Sequence, residues 1–333
     1  MRPTIIKIAA WGERYIESLY RNILPCLAAV RNMPLLWSPD PVDLLIYTDD
    51  ISVKRLKAVG LSGFNITIRL IEALPPADNL SANRTVLAWT DADSIRIAKE
   101  RGADWMSFQA DTLVSSEFLP NVKRLLDSHL AVGGAPLRVS AERFEAAVGT
   151  RRDFDTRLLR YFSLQAMHPV MLDYFMRDPP RMIPADPHQF FFADGAGFVA
   201  RTWQPCPLGL SYEAVANLSS SSSMTIDCYL ISNLPPERVY FHKPSTDDFY
   251  LCSLDDETGI PTFGSFEMSP MGVAKSICKF ARSEREAEAY VRALEQRYVY
   301  PSLDFAALPK DCCDEKASVS AIRDLVLQLE AVA

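Results

Sequence analysis

Short apolar runs recur along the first third of the chain, separated by stretches whose apolar positions fall three or four residues apart. The first run, Thr4 to Ala10 (T-I-I-K-I-A-A), ends at Trp11-Gly12-Glu13. The second, Val42 to Tyr47, ends at Thr48-Asp49-Asp50, and a third covers Phe64 to Ile71. Between the first two, Tyr15, Ile16, Leu19, Ile23 and Leu27 fall on one helical face. Pro25 predicts a kink or break in that helix, and Arg31-Asn32-Met33-Pro34 opens a loop. A short helical segment around Val53–Leu56 and a P-P-A-D-N turn at 75–79 punctuate the rest. Runs of this length, bounded by turns and flanked by helical spacing, predict buried strands of a parallel sheet. Right-handed crossovers then make an α/β layer structure the default.

The pattern is sharpest from Lys99 to Leu119. A helix carrying Ile95, Ile97 and Ala98 ends at Arg101-Gly102-Ala103, and an apolar run follows, Trp105-Met106-Ser107-Phe108. A polar knot, Gln109-Ala110-Asp111-Thr112, closes it, and a second helix is predicted from about Ser115. Ligands of open α/β sheets sit beyond the carboxyl ends of such strands, which makes Asp111 the leading candidate for chemistry. Two other acidic clusters compete. Thr48-Asp49-Asp50 ends a strand and suits a nucleoside contact. Thr90-Asp91-Ala92-Asp93-Ser94 reads best as a helix N-terminus with acids in its first turn, with a base or ribose contact through Asp93 as the alternative.

Beyond Leu126 the rhythm loosens. Leu130 to Leu137 predicts a strand with a glycine turn, and Gly133-Gly134 is no phosphate loop, since neither G-x-G-x-x-G nor a Walker sequence occurs. Helical segments at Phe154–Gln165 and Pro169–Met176 follow, and Arg151, Arg152, Arg157 and Arg160 read as a solvated face rather than phosphate ligands. Phe190-Phe191-Phe192-Ala193-Asp194-Gly195-Ala196-Gly197 sets a carboxylate and two glycines beside a buried element; glycine allows close backbone approach to a ligand, and a bulge with a capping Asp is the plain alternative. A serine run at 219–223 predicts a mobile loop just before Asp227, and Arg238 to His242 predicts a late strand. Helical spacing then dominates from Met271 to about Val332.

Composition narrows the function classes. The chain has 333 residues, 48% of them hydrophobic, enough for a full core. A net charge of −7 argues against a nucleic-acid binder. Seven cysteines form no C-x-x-C pair, Cys312-Cys313 has no zinc spacing, and the N-terminus shows no signal-peptide pattern, so a cytoplasmic location with reduced thiols is expected. No apolar run has the length to cross a bilayer, which leaves contact with a membrane surface open.

The succession helix, G-A-D, apolar strand, x-A-D-T-L-V, helix resembles the centre of GT-A-type glycosyltransferases, over roughly residues 4–260. In many of those enzymes the strand ends in D-x-D, which holds a divalent metal on the donor diphosphate. Here the motif reads Gln109-Ala110-Asp111, one acid in place of two. The resemblance implies an α/β, GT-A-like, mainly parallel sheet flanked by helices. It implies a nucleotide-sugar-binding half at 1–130, an acceptor half at 131–260 and a C-terminal helical extension at 261–333. It implies a Mn or Mg cofactor held by Asp111 with His242 as a late metal ligand, and Asp194 or Asp227 as catalytic base. Donor contacts are expected from Trp11, Gly12, Thr48, Asp49, Asp93, Gln109, Asp111, Thr112, Gly195 and Gly197. The expected partners are a nucleotide sugar and a glycan or other acceptor, with a homodimer through the C-terminal helices left open. A non-catalytic nucleotide-sugar-binding domain is the first alternative, favoured by Gln109. A sugar nucleotidyltransferase is the second, but Trp11-Gly12-Glu13-Arg14 offers only one Gly and one Arg where a glycine- and base-rich loop is required.

Overall fold

In the computed structural model, which describes residues 2–38, 42–57, 60–72, 80–184, 188–193, 197–218, 234–257, 265–281, 283–301 and 312–330, the first apolar run becomes a strand with no residue in water. This strand, β1 (Thr4–Ala9), is followed by α1 (Gly12–Ser18), α2 (Leu24–Ala28), β2 (Val42–Thr48), α3 (Asp50–Leu56), β3 (Phe64–Leu70) and α4 (Leu80–Arg101). Then come β4 (Asp104–Gln109), β5 (Thr112–Val114), α5 (Phe118–Leu126), β6 (Ala131–Gly134) and β7 (Leu137–Ser140). The second half contributes α6 (Ala141–Val148), α7 (Thr156–Gln165), β8 (Met182–Pro184), β9 (His188–Ala193), β10 (Gly197–Thr202), β11 (Cys206–Leu210) and α8 (Tyr212–Asn217). It closes with β12 (Val239–Phe241), β13 (Leu251–Asp255), β14 (Ser265–Glu267), α9 (Pro270–Phe280), α10 (Glu284–Leu294), β15 (Tyr298–Tyr300) and α11 (Glu315–Glu330).

The fold class is the one predicted: α/β, with a mixed, mainly parallel sheet flanked by helices. Seven strands form that sheet in the order β12-β6-β11-β4-β1-β2-β3. Strand β1 runs parallel to β2 and β4, β2 parallel to β3, and β11 lies antiparallel between β4 and β6. A second sheet, β5-β13-β7, is built where the chain leaves the main sheet after β4. A third, β15-β10-β9, joins the middle of the chain to its C-terminal region, where Tyr300 stacks on Phe198 at 4.6 Å between centroids. The C-terminal part therefore contributes strands as well as helices. Its last helix is anchored by Arg201, whose side chain is nearly buried and bonds Glu315 together with the Leu294 and Glu295 carbonyls.

Several local expectations are corrected. The predicted break at Pro25 takes the form of a π-helical turn, Leu19–Ile23, joining α1 to α2. Proline has no N–H for the carbonyl four residues back, and a widened turn absorbs the gap. Thr112–Val114 is a strand rather than the approach to a helix, and the following helix starts at Phe118. Leu130–Leu137 divides into β6 and β7, which lie in different sheets.

The largest correction concerns Thr90-Asp91-Ala92-Asp93-Ser94, which lies inside α4 and not at its start. The reason is on β1. Lys7 is wholly buried, and its ammonium sits 2.8 Å from Asp91 Oδ1 of the helix above. Asp93, one turn-edge away, takes Tyr47 Oη, Arg69 and Arg96, each at 2.8 Å. These acids tie α4 to the sheet. A comparable bond fixes the other end of the layer. Asp104 of the G-A-D turn is buried, pairs with buried Lys123 of α5, and accepts the Tyr212 amide at 2.7 Å, the first residue of α8.

Breaking the first of these pairs leaves a buried ammonium without a counter-charge. Asp91→Ala is expected to cost roughly 2–4 kcal/mol, and Lys7→Met with Asp91→Leu together less than about 1.5 kcal/mol, because both charges then leave the interior. Urea unfolding of the three proteins measures the difference; equal losses in the single and double variants would show that the pair is not what holds α4.

Candidate functional site

The strand order defines where a ligand crevice must open. After β3 the chain crosses over β1 to lay down β4 on its far side, so the connections at the carboxyl ends of β1 and β4 diverge in opposite directions. That divergence is the switch point at which open α/β sheets bind ligands. Trp11-Gly12 leaves β1 there, and Gln109-Ala110-Asp111 leaves β4 there.

The β1 side is set by Gly12 and Asp49. Gly12 has φ +76°, a left-handed conformation that costs a side-chain-bearing residue energy, and no atom lies within 4 Å of where its Cβ would be. The constraint is thus the backbone turn and not space. Its amide donates to Asp49 Oδ2 at 2.8 Å, while Asp49 Oδ1 accepts the Ser52 amide at 2.7 Å and caps α3. Burial pushes the Asp49 carboxyl up, but these amides and the Ser52 hydroxyl outweigh it and hold the group below its ordinary value. Asp49 thus shapes the loop after β1. Thr48 beside it is fully buried, and Trp11 is half-buried.

The β4 side is a pinned turn. Ser18 of α1 donates to the Ala110 carbonyl at 2.9 Å, and the Leu254 amide of β13 donates to the Asp111 carbonyl at 2.9 Å. Gln109 is exposed at the end of β4, paired with Ala9, and Thr112 enters β5 opposite Ser253. Asp111 is half-buried as a residue, but its Oδ1 is out of water and has no hydrogen-bond partner. Burial, then the negative charge of Asp255, pushes its carboxyl up to about 6; its own backbone amide, Arg138 and the Ser253 hydroxyl pull less strongly the other way.

Asp255 is the residue the sequence reading missed. It closes β13, is buried, and accepts Arg138 Nη1 of β7 on its Oδ2 at 3.0 Å. Asp256 next to it pairs with Arg14 of α1 at 2.9 Å. Tyr15 stands among these charges: burial first, then Asp111, raise its hydroxyl, Arg14 opposes them, and Asp255 and Asp256 add to the rise. The signal was present in Leu251-Cys252-Ser253-Leu254-Asp255-Asp256, an apolar run ending in two acids, the same pattern that singled out Asp49.

Other candidates fall elsewhere. His242 is buried, stacks on Phe249 at 4.3 Å between centroids, and engages the Phe249 carbonyl through Nε2 at 2.7 Å. The charges that bear on it are Asp248 and Arg160, not Asp111, and burial lowers it to about 4. To ligate a cation through Nε2 it would first have to leave that carbonyl. Asp93 is engaged by Tyr47, Arg69 and Arg96, as described above. Gly197 opens β10 with φ +103° opposite Ala193. Asp194, Gly195, the serine run and Asp227 lie outside the described residues. Of the arginines expected on a solvated face, Arg151 and Arg157 are exposed, Arg152 is buried and bonds Asn22, and half-buried Arg160 joins Arg157 on Asp247. Among the described residues no group of three or more His, Cys, Asp or Glu side chains is arranged to hold a metal ion. No helix is long and apolar enough to cross a membrane, among the described residues.

No protein-family model matches the chain, and no curated protein does. Among solved structures it is similar to S. aureus TarS 1-349 in complex with UDP-GlcNAc, at 9% identity over 97% of this chain and 71% of that one, TM-score 0.39. The same fragment with UDP gives 10% identity, 98% and 71% coverage and a TM-score of 0.40. A further S. aureus TarS structure gives 13% identity over 41% of this chain, TM-score 0.27, and this chain spans 21% of its length. Similarities of this size transfer no residue's role.

Two titrations follow from these surroundings. An Asp111 carboxyl raised from 3.8 to about 6 is held neutral by the fold at a pH where the unfolded chain has ionised it. Its burden on stability grows as pH rises from about 4 to 6 and is constant above. Asp111→Asn is therefore expected to stabilise the protein at pH 7.5 by about 1–3 kcal/mol and to change little at pH 3.5. Thermal unfolding at the two pH values tests this, and a loss of stability at pH 7.5 would mean that the carboxylate is satisfied in the folded protein. His242 works in the opposite window: the unfolded chain takes up its proton near 6.5 and the folded one only near 4, so stability falls as pH drops between them. His242→Gln should flatten that part of the stability profile, while an unchanged slope would assign it to other groups.

Proposed function

We propose that the chain is a glycosyltransferase that takes a sugar from a nucleotide-sugar donor at the crevice between β1 and β4. The observation that carries this reading is Asp111: a carboxylate at the switch point of a parallel sheet, with one buried oxygen left without a partner. Groups with perturbed proton affinity and unmet polar capacity collect at functional sites, because stability alone would select against them. The resemblance of the Gly102–Val114 segment to GT-A enzymes supports the same reading.

Transfer breaks the bond between the anomeric carbon and a diphosphate oxygen through an oxocarbenium-like state, and negative charge grows on the departing diphosphate. Gly12 shapes the turn after β1, which borders the nucleoside end of such a donor. Arg138, which bonds Asp255 and pulls on Asp111, and Arg14, which pairs with Asp256, suit the diphosphate or sugar hydroxyls. The Tyr15 ring, 40% exposed, offers an apolar face for the sugar. An unpaired, buried carboxylate oxygen beside a second carboxylate has the chemistry of a hard-cation ligand. Asp111 would hold such an ion, which, when bound, would neutralise the leaving diphosphate.

The test is calorimetry with UDP-, GDP- and dTDP-sugars, followed by measurement of slow donor hydrolysis. Binding in the micromolar to millimolar range with hydrolysis is expected, and Asp111→Asn should reduce hydrolysis by about 100-fold or more while the protein stays folded. Tight binding with no hydrolysis by either protein would favour a binding domain, the reading to which exposed Gln109 lends itself. No binding of any nucleotide sugar would end the proposal.

A further inference from the structure

A groove of about 480 Å³ lies along α7, a volume within the range of small-ligand pockets. Its apolar lining is Leu158, Tyr161 and Leu164 of that helix with Pro301 after β15, and its polar lining is Asp155, Arg157 and Arg160. The helical positions fall three or four residues apart, so they form one stripe of α7. Tyr161 is 47% exposed, Leu158 and Pro301 are half-buried, and Leu164, one turn on, is buried. An aromatic ring open to solvent is thus framed by aliphatic side chains.

The polar side chains are ordered by the protein itself. Asp155 Oδ1 accepts the Leu158 amide at 2.8 Å and caps the helix. Arg160 donates to the Pro244 carbonyl at 3.0 Å, the Thr246 carbonyl at 2.7 Å and Asp247 Oδ1 at 3.1 Å. Arg157 engages Asp247 Oδ2 through Nε and Nη2, so its Nη1 lies outside that pair. Two arginines and two aspartates offset each other, and the surface draws neither anion nor cation by net charge. What it offers is fixed donors and acceptors beside an apolar ring. A pyranose has the matching make-up: C–H faces that pack on an aromatic ring, and hydroxyls around the edge that both donate and accept. Groups held in place beforehand cost little to order on binding.

We propose that the α7 groove binds neutral carbohydrate at a site separate from the crevice, with Tyr161 as the stacking platform and Arg157 and Asp155 meeting ring hydroxyls. Arg160 is a positioning residue, holding Asp247 and through it Arg157. The backbone sets the two sites apart. Thr156 at the start of α7 bonds Ser115 just beyond β5, and Arg160 bonds the loop that leads into β13. Asp111 and Asp255 stand at the opposite ends of those strands. The arginine end of the groove is therefore separated from Asp255 by the five residues of β13, roughly 15 Å. Carbohydrate binding here needs no nucleotide sugar; its use in holding an acceptor glycan rests on the transferase reading.

Calorimetric titration of the full chain with cellohexaose, maltohexaose and chitohexaose, and with hexagalacturonate as the anionic counterpart, tests the site. Saturable binding of at least one neutral hexasaccharide is expected, without preference for the anion. Tyr161→Ala, at an exposed position, should weaken it about tenfold or more, while Tyr161→Phe keeps the ring face and should change it less than about threefold. Arg157→Gln leaves Asp247 bonded to Arg160 and should weaken binding several-fold. Asp111→Asn and saturating UDP should leave glycan affinity unchanged, and Tyr161→Ala should leave donor hydrolysis unchanged. Equal affinity in the wild-type and Tyr161→Ala proteins, displacement by UDP, tighter binding of hexagalacturonate, or no hexasaccharide bound at millimolar concentration would overturn the site. A polyproline decapeptide bound in place of the hexasaccharides would overturn it in favour of a peptide groove. Glycan bound as predicted by a chain that binds no nucleotide sugar would end the transferase reading and keep this site. Donor hydrolysis by a chain that binds no hexasaccharide would do the reverse.

Discussion

Strand β1 has both faces and both edges covered, and much of the molecule follows from satisfying it. Its apolar residues Ile5, Ile6 and Ile8 need only packing. Lys7 in their midst needs a counter-charge, because an isolated ammonium at that depth would cost several kcal/mol or give up its proton. Asp91 supplies it, and so α4 must lie across the strand with its middle over Lys7. With α4 fixed there, Asp93 meets Tyr47 and Arg69, which locks β2 and β3 to the same helix. A single charged residue in a buried strand thus sets the placement of a layer.

The same covered strand makes the crevice possible. Strand β1 can be flanked by β2 on one edge and β4 on the other only if the chain crosses over it, and the two connections then part at its carboxyl end. What leaves β1 is a glycine turn tied to Asp49; what leaves β4 is a turn bonded from both sides by Ser18 and Leu254. Both turns are held by hydrogen bonds to neighbouring elements, so the carboxylate between them is carried on a rigid frame. That frame lets Asp111 keep an unmet oxygen: a looser turn would rotate the oxygen to water and lose the raised proton affinity.

Much of this was legible in the sequence, and the limits are physical. The strands of the first half were readable because parallel strands, buried on both faces, leave continuous apolar runs. The position of Asp111 just beyond a strand end was readable because a polar knot closed one of those runs. Thr90-Asp91-Ala92-Asp93-Ser94 misled because acids at a helix start and acids bridging to a sheet look alike along a chain. Only the three-dimensional position of Lys7 distinguishes them. Asp255 was overlooked for a related reason. Its meaning depends on β13 pairing with β5, a contact between residues about 140 apart, and nothing local announces it. Arg152 likewise read as a surface charge until the fold gave it the buried Asn22 as a partner.

The amide of Gln109, exposed at the end of β4, also suits the electrostatics of this strand end. Burial and, after it, the negative charge of Asp255 already raise the proton affinity of Asp111. An acid at position 109 would add to the negative field on Asp111, against which Arg138 already pulls less strongly than burial and Asp255 push. Each added like charge raises the proton affinity of its neighbours, so a site with three acids would hold a proton on one of them near neutral pH. A neutral side chain at the exposed strand end avoids that competition. It leaves Asp255, bonded by Arg138, as the acid whose charge bears on Asp111.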